Sequence, residues 1–192
     1  MSNYELSDEV LIKKFQDGDI NAYNQIVYRY KDRLLNFIYR FLNDLDRAED
    51  LLQDTFLKLY THKDSYQEIA KFSTWLYTIA ANLARTELRK LKRRKTFSVT
   101  ELSREDREFI VSSSDADPSE DHLSKNFEKM VERALLELPD DFKTIIILRD
   151  IQELSYDDIS KIVELPIGTV KSRINRGKLK LRDILNKKGV KR

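Results

Sequence analysis

The stretch LSYDDISKIVELPIGTVKSRI, residues 154–174, decides the fold. Ser155 precedes an apolar-periodic run and Asp158 stands three residues on, the pattern of a helix N-cap with a reciprocal partner. Ile159, Ile162 and Val163 then fall on one side at helical spacing. The segment 164–168, Glu-Leu-Pro-Ile-Gly, makes a tight turn, because the residue before Pro166 is disfavoured in a helix. A second helix is expected from Pro166 to about Lys187. In it Val170, Ile174, Gly177, Leu181 and Ile184 recur at steps of four, three, four and three, so this stripe faces the domain. Capped helix, turn and second helix make a helix-turn-helix pattern.

The other side of the second helix is basic. Lys171, Asn175, Lys178 and Arg182 form a stripe, with Ser172, Arg173 and Arg176 beside it. A helix of about 18 residues is ~27 Å long, enough to lie in a major groove. Its N-terminal turns would reach base edges. There Arg pairs with guanine and Asn with adenine. Basic residues from Lys178 to Lys188 are better placed for phosphates. The competing interpretation is a capped hairpin with a solvated basic face.

Working outward, charge is segregated. The net charge of +2 resolves into −4 over residues 1–70, +7 over 71–95, −6 over 96–128, −4 over 129–166 and +9 over 167–192. Two basic blocks in an acidic background attract a polyanion at two defined places. Charged residues make up 35% of the 192-residue chain, against about 25% in an ordinary globular protein. There is no Cys, which excludes disulfides, thiolate metal sites and a Cys nucleophile. No apolar run approaches the ~18 residues of a membrane span. The polar, acidic N-terminus does not resemble a signal peptide.

Helical periodicity runs through the remainder, and the chain is expected to be all-α: two helical domains joined by a flexible linker. Helices are expected over Asp8–Gln16, from about Ile20 to Leu42, from an N-cap at Asp46 (with Glu49 completing a capping box) to about Thr61, and over about Phe72–Lys95. From Thr96 to Asp117 the pattern fails, and Val111 to Pro118 is small, polar and acidic, as a linker is. Periodicity resumes near Ser119, pauses at Pro139, and a short helix is expected over Asp141–Ile151. The expected domains are therefore 1–95 and 118–192, with 96–117 between them.

In the third helix Ala48, Leu51, Leu52, Thr55, Phe56 and Leu59 form the expected core stripe. Asp50, Gln53, Asp54 and Leu57 lie opposite, an exposed Leu among acids and an amide. That suits a protein interface, or simply a solvated face with one stray Leu. In the fourth helix Trp75, Leu76, Ile79, Ala80 and Leu83 are expected inward. Thr78, Asn82, Arg85 and Arg89 make a polar stripe that the basic run Arg89–Lys95 continues. Trp75 is left open between core and nucleic-acid contact. His62 and His122 are isolated and carry no assigned role.

Residues 166–177, PIGTVKSRINRG, resemble the recognition helix of region four of extracytoplasmic-function sigma factors, the fourth group of the sigma-70 family. LPDDFKTIIIL, residues 138–148, is similar to the helix before it. Residues 48–60, AEDLLQDTFLKLY, and 72–85, FSTWLYTIAANLAR, are similar to that family's region two. The resemblance covers about residues 8–95 and 118–187 in matching order. A response-regulator output domain would match only the C-terminal part.

The resemblance implies a promoter-recognition subunit, not an enzyme. It implies that Asp50, Gln53, Asp54 and Leu57 dock on the clamp of core RNA polymerase. Lys71, Thr78, Asn82, Arg85 and Arg89 would hold the minus-ten element and its unstacked non-template strand. Lys171, Ser172, Arg173, Asn175, Arg176 and Lys178 would read the minus-thirty-five duplex. Core polymerase, duplex promoter DNA and the non-template single strand are the expected partners, with room for an anti-sigma factor. No cofactor, metal or membrane insertion is expected, and the expected location is the cytoplasm. Phosphate-binding Gly loops, HExxH and Ser-centred elbows are absent from the sequence. Two rivals remain at this point: a helix-turn-helix regulator with a helical sensor domain, and a helical RNA-binding or scaffold protein.

Overall fold

The structure, a computed structural model, describes residues 6–101 and 130–188, with side chains 6–94 and 130–188. The expected linker beyond residue 101 and the start of the helix expected near Ser119 lie outside the described residues. Among the described residues there is no strand.

Helix α1 spans Asp8–Gln16, and Ser7 caps it by accepting from the Val10 amide. Helix α2 spans Ile20–Leu42, with the Asp19 carboxylate accepting from the amides of Asn21 and Ala22. Its buried stripe is Ala22, Ile26, Tyr30, Leu34, Phe37, Ile38 and Phe41. Asp8 fastens the two helices together, taking a hydrogen bond from Tyr30 and an ion pair from Arg29. Asn43 ends α2 in the left-handed region at φ 51°, which Asn tolerates better than most residues.

Helix α3 spans Leu45–Thr61. Its cap is Asp44, whose carboxylate accepts from the Arg47 amide at 3.1 Å, and not Asp46. The break at Asn43 fixes the start, so Asp46 falls in the first turn, where its charge favours the helix N-terminus. A 3-10 turn over Lys63–Ser65 follows. Lys63 Nζ donates to the carbonyls of Phe15 and Gln16, while Gln16 Nε2 donates back to those of Lys63 and Tyr66. The loop after α3 is thereby pinned to the end of α1.

Helix α4 runs Phe72–Glu101, its backbone continuing six residues past the end expected at Lys95. After residue 129, α5 covers residues 130–137, and α6 covers Asp140–Ile146 and passes into a π turn over Ile147–Ile151. Helix α7, Tyr156–Val163, is capped by Ser155 as expected, its Oγ accepting from the Asp158 amide at 3.1 Å. Glu164 turns the chain at φ 55°, and α8 spans Ile167–Lys187. Val170, Ile174 and Gly177 are buried on α8. A Cβ on Gly177 would lie 3.1 Å from Ile146 Cγ1, so glycine lets α8 approach α6 closely.

The two halves pack on one another. One hydrophobic core runs from Phe37, Ile38, Tyr77 and Ala81 through Ile145, Ile147, Leu148 and Ile159 to Val170 and Ile174. Helix α4 sits in the middle, against α2 and α3 on one side and α7 on another. Its core stripe is accordingly wider than expected. Leu76 and Ala80 are buried, but so are Thr74, Tyr77, Ala81 and Ala84, while Trp75, Ile79 and Leu83 are only half-buried. Periodicity alone locates the first face, because a helix covered on two sides has no single stripe.

Candidate nucleic-acid and polymerase interfaces

Helix α8 presents its basic face outward. Lys171, Ser172, Asn175, Arg176, Lys178 and Arg182 are exposed, and Arg173 is half-buried. Two of these cations are held by acids of the same half: Arg173 pairs with Asp141 at 3.2 Å and Lys178 with Asp150 at 2.8 Å. Lys171 lies 5.8 Å from the centroid of the Tyr156 ring, which also meets Arg149 at 4.5 Å. The first turns of α8 therefore carry cations with preset directions, and Asn175 and Arg176 stand free in the stripe's centre. Ion pairs at an exposed surface are worth about 0–1 kcal/mol and exchange readily for phosphate.

On α3 the expected division of faces holds. Ala48, Leu51, Thr55, Phe56 and Leu59 are buried, with Leu52 half-buried. Asp50, Gln53, Asp54 and Leu57 are exposed, Leu57 by 60%. An acidic ridge with an uncovered apolar side chain is thus presented on a rigid helix. Tyr60, 46% exposed, extends it, packing its ring against Phe15 and Tyr23.

The α4 candidates divide into two sets. Asn82 and Arg89 are exposed. Thr78 is half-buried and donates to the Thr74 carbonyl at 2.8 Å. Arg85 is half-buried; that burial lowers its pKa, while the carboxylates of Asp141 and Glu164 act in the opposite sense. Lys71, at the start of the helix, lies 3.5 Å from Asp158. Trp75 packs in an aromatic cluster with Tyr66 at 5.5 Å and Phe72 at 6.1 Å. The loop before α4 leaves Ile69 82% exposed, the most open large apolar side chain among those described.

Sequence reading missed the residues that meet α4 from the C-terminal half. Asp158 was legible as part of a cap. Nothing in the pattern signals that its carboxylate also accepts from Thr74 Oγ1, at 2.8 Å, 84 positions away. Gln152, which accepts from the Tyr77 hydroxyl, carries no local signal at all. Among the described residues no His, Cys, Asp and Glu cluster could hold a metal, and no helix is long and apolar enough to cross a membrane.

Residues 26–94 match the family model described as Sigma-70 region 2, and residues 128–181 match that of Sigma-70, region 4. The chain is 37% identical over 174 residues to the ECF RNA polymerase sigma factor SigW of Bacillus subtilis (strain 168), with 89% of this chain and 92% of that protein covered. The sigma factor RpoE of Bartonella quintana, solved in complex with the anti-sigma factor NepR, superposes with a TM-score of 0.63 at 28% identity. That match covers 88% of this chain and 98% of the other. CnrH, solved with the cytosolic domain of CnrY, superposes with a TM-score of 0.69 at 21% identity over 93% of this chain and 97% of that one, a likeness of fold.

Proposed function

The chain belongs to the extracytoplasmic-function sigma factors of RNA polymerase, and we infer from this that it directs core polymerase to specific promoters and helps open them. The observation that carries the inference is the ordered pair of region-two and region-four matches, each ending on a basic helix face. A regulator with a lone helix-turn-helix would lack the first match. The division of labour follows the two basic faces. Residues 1–95 dock on polymerase through Asp50, Gln53, Asp54 and Leu57 and hold the minus-ten strand through Lys71, Thr78, Asn82, Arg85 and Arg89. The tether lies past the end of α4 at Glu101, within the segment up to residue 117, and residues 118–192 read the minus-thirty-five duplex through Lys171, Ser172, Arg173, Asn175, Arg176 and Lys178. The polymerase supplies the chemistry; this chain supplies address and strand opening, in the cytoplasm where transcription runs. Because the Bartonella quintana relative is solved with an anti-sigma factor, a protein inhibitor of that kind is a proposed partner here.

Base readout by α8 has a direct test. Arg176→Ala is expected to weaken promoter binding by about 1–3 kcal/mol and to relax discrimination at one base position. Lys187→Ala, further along the exposed helix, is expected to act weakly and equally on all sequences. Binding to a panel of single-base promoter variants measures both. Identical specificity profiles for wild type and Arg176→Ala would remove Arg176 from direct readout.

A further inference from the structure

We propose that Asp141, on α6, is a positioning residue for sequence discrimination: it holds the Arg173 guanidinium in the direction from which that arginine reads one base of the minus-thirty-five duplex. The proposal rests on the reading of α8 as the duplex-reading helix. Arg173 Nη1 lies 3.2 Å from Asp141 Oδ2. A guanidinium carries five N–H donors in a fixed plane. A carboxylate on Nη1 leaves the edge formed by Nε and Nη2, and such an edge matches the paired N7 and O6 acceptors of guanine. An arginine with no such partner loses rotamer freedom when it meets DNA, which weakens the correct contact about three- to tenfold. An arginine already held has lost that freedom before DNA arrives.

The packing of α6 on α8 gives the carboxylate a rigid base. Gly177 stands one turn beyond Arg173, and a Cβ there would lie 3.1 Å from Ile146 Cγ1 and 3.5 Å from Phe142 Cβ. The missing side chain draws the start of α6 against the first turns of α8, with Asp141 next to Phe142 in sequence. A contact built between two packed helices holds direction better than one from a loop. Arg173 is also half-buried, whereas its neighbours Asn175 and Arg176 are exposed. Charge points the same way. An acid beside a DNA-reading helix repels phosphate, so Asp141 weakens binding to every sequence alike. The contribution left to it is discrimination between sequences. Asp150 makes the contrast: it pairs with Lys178 at 2.8 Å, but an ammonium is a compact charge with rotatable donors and has no planar edge to aim.

The test uses the full chain bound to core polymerase, selecting from promoter DNA randomised across the upstream element. Sequencing the bound fraction gives the preference at each base. Arg173→Ala identifies the position that Arg173 reads. Asp141→Asn keeps the side chain's size and removes its charge. It should reduce the preference at that same position about three- to tenfold, while binding to a duplex of unrelated sequence tightens. Asp141→Glu, which keeps a carboxylate, should restore most of the preference. In the Arg173→Ala background Asp141→Asn should add no further loss. Asp150→Asn should tighten binding to all sequences and leave every preference in place. Asp141 is exposed, so the melting temperature should hardly move. Asp141 also acts on Arg85 of α4, and an effect by that route would change binding to all sequences alike. Unchanged preferences in Asp141→Asn, a loss at a different position, a loss that persists in the Arg173→Ala background, or an equal loss in Asp150→Asn would each overturn the proposal. If Arg173→Ala leaves every preference in place, Arg173 reads no base and the proposal falls, while readout by the rest of α8 stands. If the parent selects no upstream element at all, the duplex-reading role of α8 falls, and the proposal with it.

Discussion

Asp54→Lys combined with Leu57→Glu is expected to abolish assembly with core RNA polymerase while leaving the helical content and melting temperature nearly unchanged. Both side chains are exposed on α3, on the face opposite Ala48, Leu51, Phe56 and Leu59. Substitutions at exposed positions usually cost within about 0.5 kcal/mol of stability. At an interface the same changes are severe, because a reversed charge and a buried carboxylate each meet a surface shaped for the original. A charged group left unpaired in an interface costs about 2–5 kcal/mol, and two together exceed the affinity reserve of most transient complexes. Pull-down by core polymerase measures the loss, and circular dichroism through the melt measures integrity. Wild-type recovery of the double mutant would remove α3 as the dock. A mutant that neither binds nor folds would show instead that the exposed ridge is structural.

The second large effect separates the two halves by task. Asn82→Ala is expected to reduce open-complex formation roughly tenfold to a hundredfold, the range for losing a good amide contact to a base edge, with closed-complex binding little affected. Arg176→Ala is expected to do the reverse. Asn82 stands exposed on α4 between the half-covered Thr78 and Arg85, so it is the amide best placed to meet an unstacked base. Unstacking costs a few kcal/mol, which contacts in the open state must offset. Permanganate reactivity of unpaired thymines reports opening, and footprinting of the same promoter reports binding. Normal thymine reactivity with Asn82→Ala would move base capture off this residue.

Much of this architecture is legible in residue order. Ser155 with Asp158, Pro166, and the spacing of Val170, Ile174 and Gly177 locate the helix-turn-helix, because caps and breakers act within a turn of where they stand. The exposed ridge of α3 follows from its core stripe in the same way. The start of α3 was harder: Asp44 and Asp46 are both competent caps, and the left-handed residue Asn43 chooses between them. What sequence pattern does not carry is the covering of α4. Thr74, Tyr77 and Ala81 look like the edge of one stripe, yet all three are buried, Thr74 against Asp158 of α7 and Tyr77 between Phe37 of α2 and Gln152. A polar residue such as Thr74 gives no sign of burial until its acceptor, Asp158, is brought to it by the chain between. Likewise Lys71 and Arg85 announce a basic face, yet the acid beside Lys71, Asp158, lies 87 positions away, and those acting on Arg85, Asp141 and Glu164, also come from the C-terminal half.

The central claim is that this chain alone confers promoter choice on core polymerase. The most direct measurement mixes the two purified components with genomic DNA and maps the 5′ ends of the transcripts. Initiation is predicted at discrete sites, each preceded by the same pair of sequence blocks at fixed separation, and lost when Asp54→Lys, Leu57→Glu replaces the wild type. Transcripts indistinguishable from those of core polymerase without the added chain would contradict it.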